Sequence, residues 1–533
     1  MAPAASGIHH STAKAVPFTS FRPAPSGPAQ VPMRICLLTD QDLSLDPFPA
    51  DDWPCDPRPW LPEAEWTVLT LEKDRAVAQL IEASRAGYDI FFNLCDGAWD
   101  EGRVGIEVVQ TLEWLDLPFT GADPVFYEPS RESMKRVCRA WGIDTPAYLI
   151  ARTGSDLRHA AGSLRFPLFV KHHRSYASAG LTRESRVETE EQLMAQGTLM
   201  IREYGGALVE EFVDGTECTV LVAENPRDPE EPITYQPVQY RFPQGESFKH
   251  YDLKWVNYQG LEAFPVEDPE LDRRLRAVSA RFFLGMRGTG FGRCDIRVDR
   301  HGRPFMLEIN PNCGVFYPPE DPGSADLILQ ADPAGHGGFA RTLVEAGLAR
   351  HRRRRRNWKV LPRPEGDYGL FATRDIEAGE PILVFEEQPH HLVTHSHVEK
   401  NWNGTRRKWF DRYAWPLSDE VWVTWSPDPE DWRPVNHSCD PSAWLRGLDV
   451  VARRHIGVGE EITLEYATFY DDRMPDFECR CGAPVCRRVI RGSDWSREFV
   501  ALYGEHVSDH IRRKRAELPA EGARRRRRTR GMS

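Results

Sequence analysis

The stretch FGRCDIRVDRHGRPFMLEINPN, from Phe291 to Asn312, decides the fold of the larger part of the chain. Charged residues occupy every second position from Arg293 to Asp299, and apolar residues fill the positions between them. This strict alternation predicts a half-buried strand. The next four residues, Arg300–Arg303, include a glycine and predict a hairpin loop. The second strand is expected to have an apolar face with Phe305, Leu307 and Ile309, and another face with Met306, Glu308 and Asn310.

The polar faces of the two predicted strands favour a metal site. In simple register, Asp299 would face Pro304, Asp295 would face Glu308, and Arg293 would face Asn310. Directly opposed residues have Cβ atoms roughly 4.5–5.5 Å apart. Two opposed carboxylates repel each other unless a cation lies between them, and hard oxygen ligands suit Mg²⁺. The alternative is an ordinary solvated sheet face.

The motif R-C-D followed by L-E-I-N-P-N resembles the metal-binding end of the ATP-grasp ligases, most closely the D-alanine–D-alanine ligase branch. The resemblance covers residues 33–348. It implies an enzyme that uses ATP and Mg²⁺ to convert a carboxylate into an acyl phosphate, which an amine then attacks. By position in the motif, Asp295, Glu308 and Asn310 would bind Mg²⁺, and Arg293 would stabilise the tetrahedral oxyanion.

The same resemblance implies ATP-binding residues in several predicted elements. Glu132–Gly142 predicts a helix that carries Lys135, and Phe166–His172 predicts a strand that ends in Lys171. Both lysines match phosphate-binding positions of the family. The other matching residues are Ser178 in a loop of small residues, Glu210, Glu211, Phe212, Val213 and Glu217 along the nucleotide cleft, and Lys254 in a loop over the substrate. The alternatives are a solvated lysine at 135 and exposed strand edges at the glutamates.

Two local features qualify this resemblance. Residues 207–213 and 217–223 predict a hairpin in which Glu210 interrupts an apolar strand, and a buried carboxylate needs a partner such as adenine or ribose donors. The chain departs from the family at His172, where a proline is usual, and at Trp255, where a tyrosine is usual. The acid and amine substrates of the family therefore do not transfer to this chain.

The second half carries three motifs in order: N-H-S-C at 436–439, G-E-E-I-T-L-E-Y at 459–466, and C-R-C with Cys486. Three thiols within eight residues indicate a zinc site, and tetrahedral Zn²⁺ requires a fourth ligand. Cys439 is the natural candidate to join Cys479, Cys481 and Cys486. Eleven cysteines, thinly spread until this cluster, suit a reducing compartment better than a disulfide framework.

These motifs resemble the SET-domain methyltransferases with a post-SET zinc tail, over residues 358–491. The resemblance implies that Gly369, Asn436 and His437 contact S-adenosylmethionine and that Tyr466 lies beside the transferring methyl group. Methyl transfer needs a neutral amine, alignment and a dry channel. The cofactor turn departs from the family pattern, because Asp367 stands where a glycine is usual. For His437 and Tyr466 taken alone, core packing is the alternative.

Composition excludes several classes of protein. The net charge of −12 argues against a general nucleic-acid binder, although Arg352–Arg356 and Arg524–Arg528 are basic runs. No apolar run reaches the roughly 18–20 residues that span a bilayer, and the N-terminus lacks the pattern of a secretory signal. The expected location is cytoplasmic, with nuclear targeting through the basic runs as the alternative.

The predicted fold class is α/β plus mainly β: an N-terminal ATP-grasp fold of three subdomains, followed by a SET β-fold with a post-SET zinc site. The 533 residues allow several domains. The expected order is a disordered leader (1–32), a pre-ATP-grasp α/β domain (33–125), an ATP-grasp domain (126–348), a basic linker (349–357), a SET domain (358–470), a post-SET zinc segment (471–491), and a C-terminal helix with a basic tail (492–533).

The preferred functional hypothesis is a fusion of two enzymes, a carboxylate–amine ligase and an amine methyltransferase. It requires ATP, Mg²⁺, S-adenosylmethionine and Zn²⁺. Its substrates would be amino acids or peptides, with a lysine-containing protein or peptide as a further methyl acceptor. Two alternatives stay open: a lysine methyltransferase whose ATP-grasp half only binds nucleotide, and a ligase whose SET half is a recognition module. Homodimers are common among D-alanine ligases, but the sequence leaves the oligomeric state open.

Overall fold

The computed structural model describes residues 32–45, 48, 54–98, 102–174, 181–249, 260–354, 356–364, 366–426, 428 and 431–518. Two compact units meet at the Arg352–Arg353 bond. The predicted leader, apart from residue 32, and the basic run Arg524–Arg528 lie outside the described residues. Among the described helices, none combines the length and apolarity needed to cross a bilayer.

The first unit begins with a parallel three-stranded sheet. The central strand β1 (Arg34–Thr39) pairs with β2 (Glu65–Thr70) on one side and with β3 (Ile90–Asn93) on the other. The helices of this part are α1 (Ala76–Ala83) and α2 (Ile106–Trp114). β1 is almost entirely buried, as expected for a parallel strand covered on both faces. The predicted α/β arrangement of this part is therefore present.

A four-stranded antiparallel sheet forms the second part of this unit. Its order is β4 (Tyr148–Ala151), β7 (Ala207–Glu211), β5 (Leu168–His172) and β6 (Arg186–Val187). The helices α4 (Gly154–Ser163) and α5 (Glu190–Tyr204) share one apolar core with it. Helix α3 (Arg131–Ala140) precedes this sheet in the chain.

The third part is a six-stranded sheet that contains the predicted hairpin. Its strands are β8 (Gly215–Ala223), β9 (Ile233–Thr234), β10 (Val238–Arg241), β11 (Glu262–Pro265), β12 (Phe291–Asp299) and β13 (Pro304–Pro311). Their order is β11-β10-β8-β12-β13, with β9 paired to β8. The helices are α6 (Pro269–Gly285), α7 (Ser324–Ala331) and α8 (Gly335–Arg354).

The hairpin of β12 and β13 forms with the expected pairing at its functional end. Arg293 pairs with Asn310 and Asp295 with Glu308. The pairing of Asp299 with Pro304 was predicted wrongly, because a register shift after Asp295 pairs Val298 with Pro304 instead. An irregularity of this kind adds one residue to one strand. The two faces of β13 therefore differ from the simple pattern, with Met306 and Ile309 in the core and Phe305 and Leu307 half-buried.

The predicted hairpin of residues 207–213 and 217–223 is wrong. β7 pairs with β4 and β5, whereas β8 pairs with β9, β10 and β12. The segment between β7 and β8 carries the chain from one sheet to the next. A Cβ at Gly215 would collide with the backbone of Val298 in β12, so glycine allows β8 to begin close against that strand. A cleft between the two sheets results.

The predicted linker 349–357 is partly helical. Helix α8 extends to Arg354, and Arg350 is buried within the first unit. Its guanidinium lies 2.6 Å from Glu224 Oε2 and donates to the carbonyl oxygens of Phe119 and Gly121. A buried cation needs such partners, so this arginine belongs to the first unit.

The second unit consists mainly of short strands. They are β14 (Trp358–Pro362), β15 (Tyr368–Ala372), β16 (Pro381–Leu383), β17 (His390–Thr394), β18 (Trp415–Pro416), β19 (Val421–Trp425), β20 (Asn436–His437), β21 (Ala443–Arg446), β22 (Asp449–Ala452), β23 (Glu461–Leu464), β24 (Phe477–Glu478) and β25 (Val489–Ile490). The sheet orders are β14-β15-β23-β20, β16-β22-β21, β17-β19-β18 and β24-β25. The helices are α9 (His395–Asn401), α10 (Gly404–Tyr413) and α11 (Asp509–Ala516).

The helix predicted in the segment 492–533 is not continuous from the start of that segment. Two 3₁₀ helices, Gly492–Ser496 and Glu498–Tyr503, precede α11. Gly504 interrupts the run with φ 55°, a conformation that glycine adopts readily. The Ser508 side chain then caps α11 by accepting a hydrogen bond from Ile511 N.

Candidate functional site

The first candidate site is the cleft between the sheets of the first unit. Arg293, Asp295, Glu308 and Asn310 line it together with Lys171. Asp295 Oδ2 lies 3.0 Å from a guanidinium nitrogen of Arg293 and accepts a hydrogen bond from Asn310 Nδ2 at 3.0 Å. The two predicted metal-binding carboxylates therefore face one another beside the predicted phosphate ligand.

Basic side chains keep both carboxylates ionised. Burial by itself raises the pKa of Asp295, but the neighbouring Arg293 outweighs this effect and lowers the pKa. The same balance lowers the pKa of Glu308, for which Arg131 Nε at 2.7 Å and Lys171 Nζ at 3.7 Å are the nearby cations. Ionised carboxylates with an adjacent carboxamide oxygen are the hard donors that Mg²⁺ requires, so the residues fit this ion.

Lys135 and Lys171 share one buried carboxylate. Each lysine Nζ lies 2.8 Å from an oxygen of Glu210, and all three side chains are buried. Burial opposes ionisation, but the two ammonium groups lower the pKa of Glu210 to about 2. The alternatives of a solvated Lys135 and an exposed strand edge at Glu210 are therefore excluded. Within the chain, the partners of the Glu210 carboxylate are these two lysines, and of the two, Lys171 lines the cleft.

The remaining predicted nucleotide residues follow the same cleft. Glu211, Phe212, Val213 and Glu217 line it. Glu211 is ion-paired at 2.7 Å with Arg165, whose side chain is exposed. Glu217 is buried and lies 3.4 Å from Arg297. Ser178 and Lys254 lie outside the described residues.

An apolar pocket in this cleft was not anticipated from the sequence. Phe169, Phe212 and Phe248 form it with Leu181, next to Lys171. The Phe169 ring centroid lies 4.9 Å from that of Phe248 and 6.1 Å from that of Phe212. Aromatic walls beside a phosphate-binding cation suit the flat base of a nucleotide. Phe169 could have been found, because it precedes Lys171 by two residues on one strand and so shares its face.

Arg131 is a second residue that the sequence reasoning missed. It is buried, contacts Glu308, and donates to the carbonyl oxygen of His172 at 2.6 Å. The signal was the helical period, since the buried positions of α3 are Arg131, Met134, Lys135 and Cys138. When the helical period places an arginine on the buried face, the arginine must have a partner there and has a functional or structural role.

The second candidate site is a cavity of about 770 Å³ in the second unit. The predicted residues Asn436, His437 and Tyr466 line it, as do Cys479 and Cys481. Asn436 Nδ2 donates to the carbonyl oxygen of Tyr368 at 2.9 Å and to Glu461 Oε1 at 2.8 Å. Asn436, His437 and Tyr466 thus line one large cavity, and so does Tyr368, which directly precedes the predicted cofactor residue Gly369.

Tyr466 is held among aromatic rings. Its hydroxyl donates to the carbonyl oxygen of Val435 at 3.0 Å, and its ring contacts His437, Phe469, Tyr470 and Phe477. Burial raises its pKa, so the phenol stays neutral at physiological pH. A neutral phenol can orient an amine without carrying charge of its own.

Ion pairs hold the altered cofactor turn at Asp367 in place. Asp367 lies 3.2 Å from Arg363, and Arg363 lies 3.3 Å from Glu461, which in turn binds Asn436. Gly369 packs against the same glutamate, because an added Cβ would collide with Glu461 Oε1. The unusual aspartate is therefore tied to the residues around the predicted cofactor position.

The four predicted zinc ligands form one cluster. The Sγ atoms of Cys439, Cys479, Cys481 and Cys486 all lie within 4.8 Å of one another, and each cysteine is free. Burial raises the pKa of Cys481, but hydrogen bonds with the backbone at Cys439 and Ala483 outweigh it and bring the pKa to about 7. Four convergent thiols suit tetrahedral Zn²⁺. Burial raises the pKa of Cys439 to about 11 and also raises the pKa of Cys479, so metal binding must release the protons of these thiols.

Metal removal is expected to destabilise only the second unit. The purified chain should hold one zinc per molecule, and a strong chelator should lower the midpoint of one of two unfolding transitions by about 10 °C, since each kcal/mol shifts a unit of this size by roughly 2–4 °C. Calorimetry with metal analysis measures both. Cys486→Ser should mimic chelation, whereas Cys55→Ser should not; zinc-free protein with unchanged melting would contradict the assignment.

Comparison with known proteins supports the family resemblance that the sequence motifs indicated for each half of the chain. A family profile described as "D-ala D-ala ligase C-terminus" matches residues 137–317, and a "SET domain" profile matches residues 367–467. A D-alanine–D-alanine ligase of Cupriavidus necator is 27% identical over 248 residues, which cover 45% of this chain and 72% of that ligase. An uncharacterized protein of Sinorhizobium fredii is 27% identical over 310 residues, covering 53% of this chain and 87% of that protein.

Among solved structures, the D-alanine–D-alanine ligase of Bacillus anthracis with ATP is 18% identical and covers 61% of this chain and 99% of its own, with a TM-score of 0.44.

The predicted fold class is confirmed, and the two families point to enzymatic activity. The chain thus joins a D-Ala–D-Ala ligase-like ATP-grasp part and a SET domain in one polypeptide.

Proposed function

We propose that the chain is a bifunctional enzyme. The first unit would be an ATP-dependent carboxylate–amine ligase, and the second would be an S-adenosylmethionine-dependent amine N-methyltransferase. The observation that carries the first activity is the convergence of Arg293, Asp295, Glu308 and Asn310 with Lys171 on one cleft. The presence of Lys171, Asp295, Glu308 and Asn310 together argues against a half that only binds nucleotide.

In the ligase reaction, a carboxylate oxygen of the acid forms a bond to the γ-phosphorus of ATP, and the bond to the bridging oxygen breaks to release ADP. The amine nitrogen then bonds to the carbonyl carbon, phosphate leaves with that oxygen, and the amine loses one proton. Lys171 would hold the transferred phosphate, and the aromatic pocket with Phe169 would hold the base. Mg²⁺ bound by Asp295, Glu308 and Asn310 would neutralise phosphate charge.

Arg293 would stabilise the oxyanion that forms when the amine attacks. Its guanidinium is fixed by Asp295 through two contacts, at 3.1 Å and 3.0 Å. A donor fixed before the reaction needs no reorganisation as charge develops, which is the basis of oxyanion stabilisation. Asp295 would thus serve both the metal and the arginine.

In the second unit, the methyl carbon would pass in line from sulfonium to amine nitrogen. S-adenosylmethionine, when bound, would supply the methyl group: its carbon–sulfur bond would break as the carbon–nitrogen bond forms, and the amine would lose its proton. The cavity walls around Tyr466 would exclude water and align the amine. Asn436 and Gly369 would hold the cofactor side of the cavity. Because both reactions use an amine, the two units could act in succession on one amino acid or peptide.

The first activity is tested by incubating the pure chain with ATP, Mg²⁺ and a panel of amino acids and short peptides. Release of ADP that depends on an added substrate supports the ligase, with products identified by mass spectrometry. Absence of substrate-dependent ADP release across a broad panel would count against it. Amino acid substrates are the first choice because the relatives are named as D-alanine–D-alanine ligases.

A second candidate function is favoured by Asp367 in the cofactor turn: the SET domain would be a recognition module without catalysis. The ion pair between Asp367 and Arg363 occupies the turn where the family usually has a glycine. Titration calorimetry with S-adenosylmethionine separates the two candidates. Binding supports methyl transfer, whereas no binding by the metal-loaded chain supports the recognition module.

Gly369→Ala is expected to weaken S-adenosylmethionine binding about 10- to 100-fold, which corresponds to the roughly 1–3 kcal/mol that overpacking costs. The added methyl group would displace Glu461 and so disturb its bonds to Asn436 and Arg363. Calorimetry measures the change. Gly457→Ala is the matched control, because a Cβ there would meet no atom within 4 Å. Equal affinities of the two variants would remove Gly369 from the cofactor site.

A further inference from the structure

The imidazole of His437 lies between the cysteine cluster and Tyr466. Its Nε2 is 3.4 Å from Cys439 Sγ, and its Nδ1 accepts a hydrogen bond from the backbone N–H of Tyr466 at 3.3 Å. The side chain is 2% exposed. With Nδ1 as the acceptor from Tyr466, a neutral His437 is assigned its ring proton on Nε2, 3.4 Å from the sulfur. The Glu465 carboxylate also lies near Nδ1, with Oε1 at 3.7 Å. Both ring nitrogens are thus engaged within the protein.

A second connection runs from the cluster to the residue before Tyr466. The backbone N–H of Arg487 donates to Cys439 Sγ at 3.4 Å. The guanidinium of the same arginine donates to both oxygens of Glu465, each at 2.7 Å. Glu465 is buried, and the Arg487 side chain is 14% exposed, so this bidentate pair is largely shielded from solvent. Planar pairs of this kind fix orientation as well as charge.

We infer that His437 and the Arg487–Glu465 pair are positioning residues that couple the metal-binding cysteines to Tyr466. The inference rests on the proposed zinc binding and methyl transfer. A metal ion fixes the thiolate of Cys439, and that sulfur then anchors two separate connections that end at adjacent residues, Glu465 and Tyr466. Loss of the metal releases the anchor, and the backbone N–H of Tyr466 loses its partner. Groups that bond to metal ligands commonly affect metal retention and activity in this way.

Hydrogen exchange of the full chain, read by mass spectrometry, tests the coupling without any need for a methyl acceptor. In the metal-loaded chain the segment 464–470 should exchange slowly. Chelation should speed its exchange by about tenfold or more, the scale of effects for contacts to metal ligands. Residues 443–452, in β21 and β22, serve as the internal control and should be unchanged. If 464–470 exchanges equally with and without metal, the inference is overturned.

Two substitutions of His437 test its contact with Cys439 Sγ and its contact with the Tyr466 backbone N–H separately. His437→Gln keeps a donor near Cys439 Sγ but removes the acceptor for Tyr466 N–H, so it should retain metal and yet show fast exchange at 464–470. His437→Asn keeps an acceptor near Tyr466 but cannot reach the sulfur, so chelators should remove its metal about 10- to 100-fold faster. His455→Asn, at an exposed position, is the control. Wild-type exchange and wild-type metal retention in both His437 variants would contradict the inference.

Arg487→Lys keeps the experiment decisive if the His437 variants do not fold. Lysine cannot form the bidentate pair with Glu465, so faster exchange at 464–470 is expected with metal still bound. The neighbouring Arg488→Lys has no such pair to lose and should behave as wild type. Calorimetry with S-adenosylmethionine is run beside these measurements. If the wild-type chain does not bind S-adenosylmethionine, the methyltransferase proposal is wrong. If Arg487→Lys leaves hydrogen exchange at 464–470 unchanged, only the proposed coupling is wrong.

Discussion

Replacing Asp295 with asparagine is expected to lower ATP-dependent ligation about 100- to 1000-fold, the scale of removing one charged or donor group that acts on a developing charge. The substitution removes a metal-binding charge. It also weakens the two contacts that fix Arg293. Turnover is measured as ADP release with a substrate from the amino acid panel. Methyl transfer by the second unit should be unchanged.

Asp299→Asn is the matched control for this variant. Asp299 lies on the same strand, but its Oδ1 accepts hydrogen bonds from the backbone N–H groups of His301 and Arg303 at the hairpin turn. An asparagine oxygen can accept the same bonds, so ligation should change by less than about twofold, consistent with a surface substitution of less than 0.5 kcal/mol. If Asp295→Asn were as active as Asp299→Asn, the proposed metal site would be wrong.

Glu210→Gln is expected to destabilise the first unit by about 3–5 kcal/mol, because it leaves two buried ammonium groups without their carboxylate. Lys135 is fully buried and Lys171 nearly so. Denaturant unfolding measures the loss. Glu211→Gln is the matched control, since its partner Arg165 is exposed and such pairs contribute at most about 1 kcal/mol. Lys135→Met in the Glu210→Gln background should restore part of the stability; no recovery would mean that the lysine charge is not the cause.

The same carboxylate predicts a pH dependence of stability. The pKa of Glu210 in the folded chain is about 2, below its ordinary value of 4.5. A carboxylate with a lowered folded pKa contributes its stability fully above the unfolded pKa and loses it as the pH falls through the folded value. Wild type should therefore lose stability more steeply than Glu210→Gln between about pH 4.5 and 2. Parallel profiles for the two proteins would contradict the ion-pair assignment.

The hairpin of β12 and β13 shows how much of the candidate site could be predicted from the sequence alone. Alternation identified both strands, and simple register gave the pairs Arg293–Asn310 and Asp295–Glu308 that form the site. The register shift beyond Asp295 could not be predicted, because Met306 and Leu307 are both apolar and either can fill the core. In the structure Met306 packs in the core, and Leu307 lines the cleft.

Residues that depend on neighbouring elements were harder to predict. Nothing in the local sequence of β7 indicates that its partners are β4 and β5 and that β8 belongs to another sheet. The pairing of Glu210 with two lysines follows from that arrangement, whereas the sequence alone suggested only adenine or ribose donors as its partners. By contrast, the cysteine cluster was predictable, because C-x-C-x4-C already limits the ligands to a short segment.

Transfer of oxygen-18 from the acid substrate to phosphate tests the proposed ligase mechanism most directly. The chain is incubated with ATP, Mg²⁺ and an amino acid substrate labelled in its carboxylate, and the released phosphate is analysed by mass spectrometry. Formation of an acyl phosphate predicts one labelled oxygen in each phosphate, because the carboxylate oxygen that attacks phosphorus leaves with it. Unlabelled phosphate, released in step with product, would contradict ligation through an acyl phosphate.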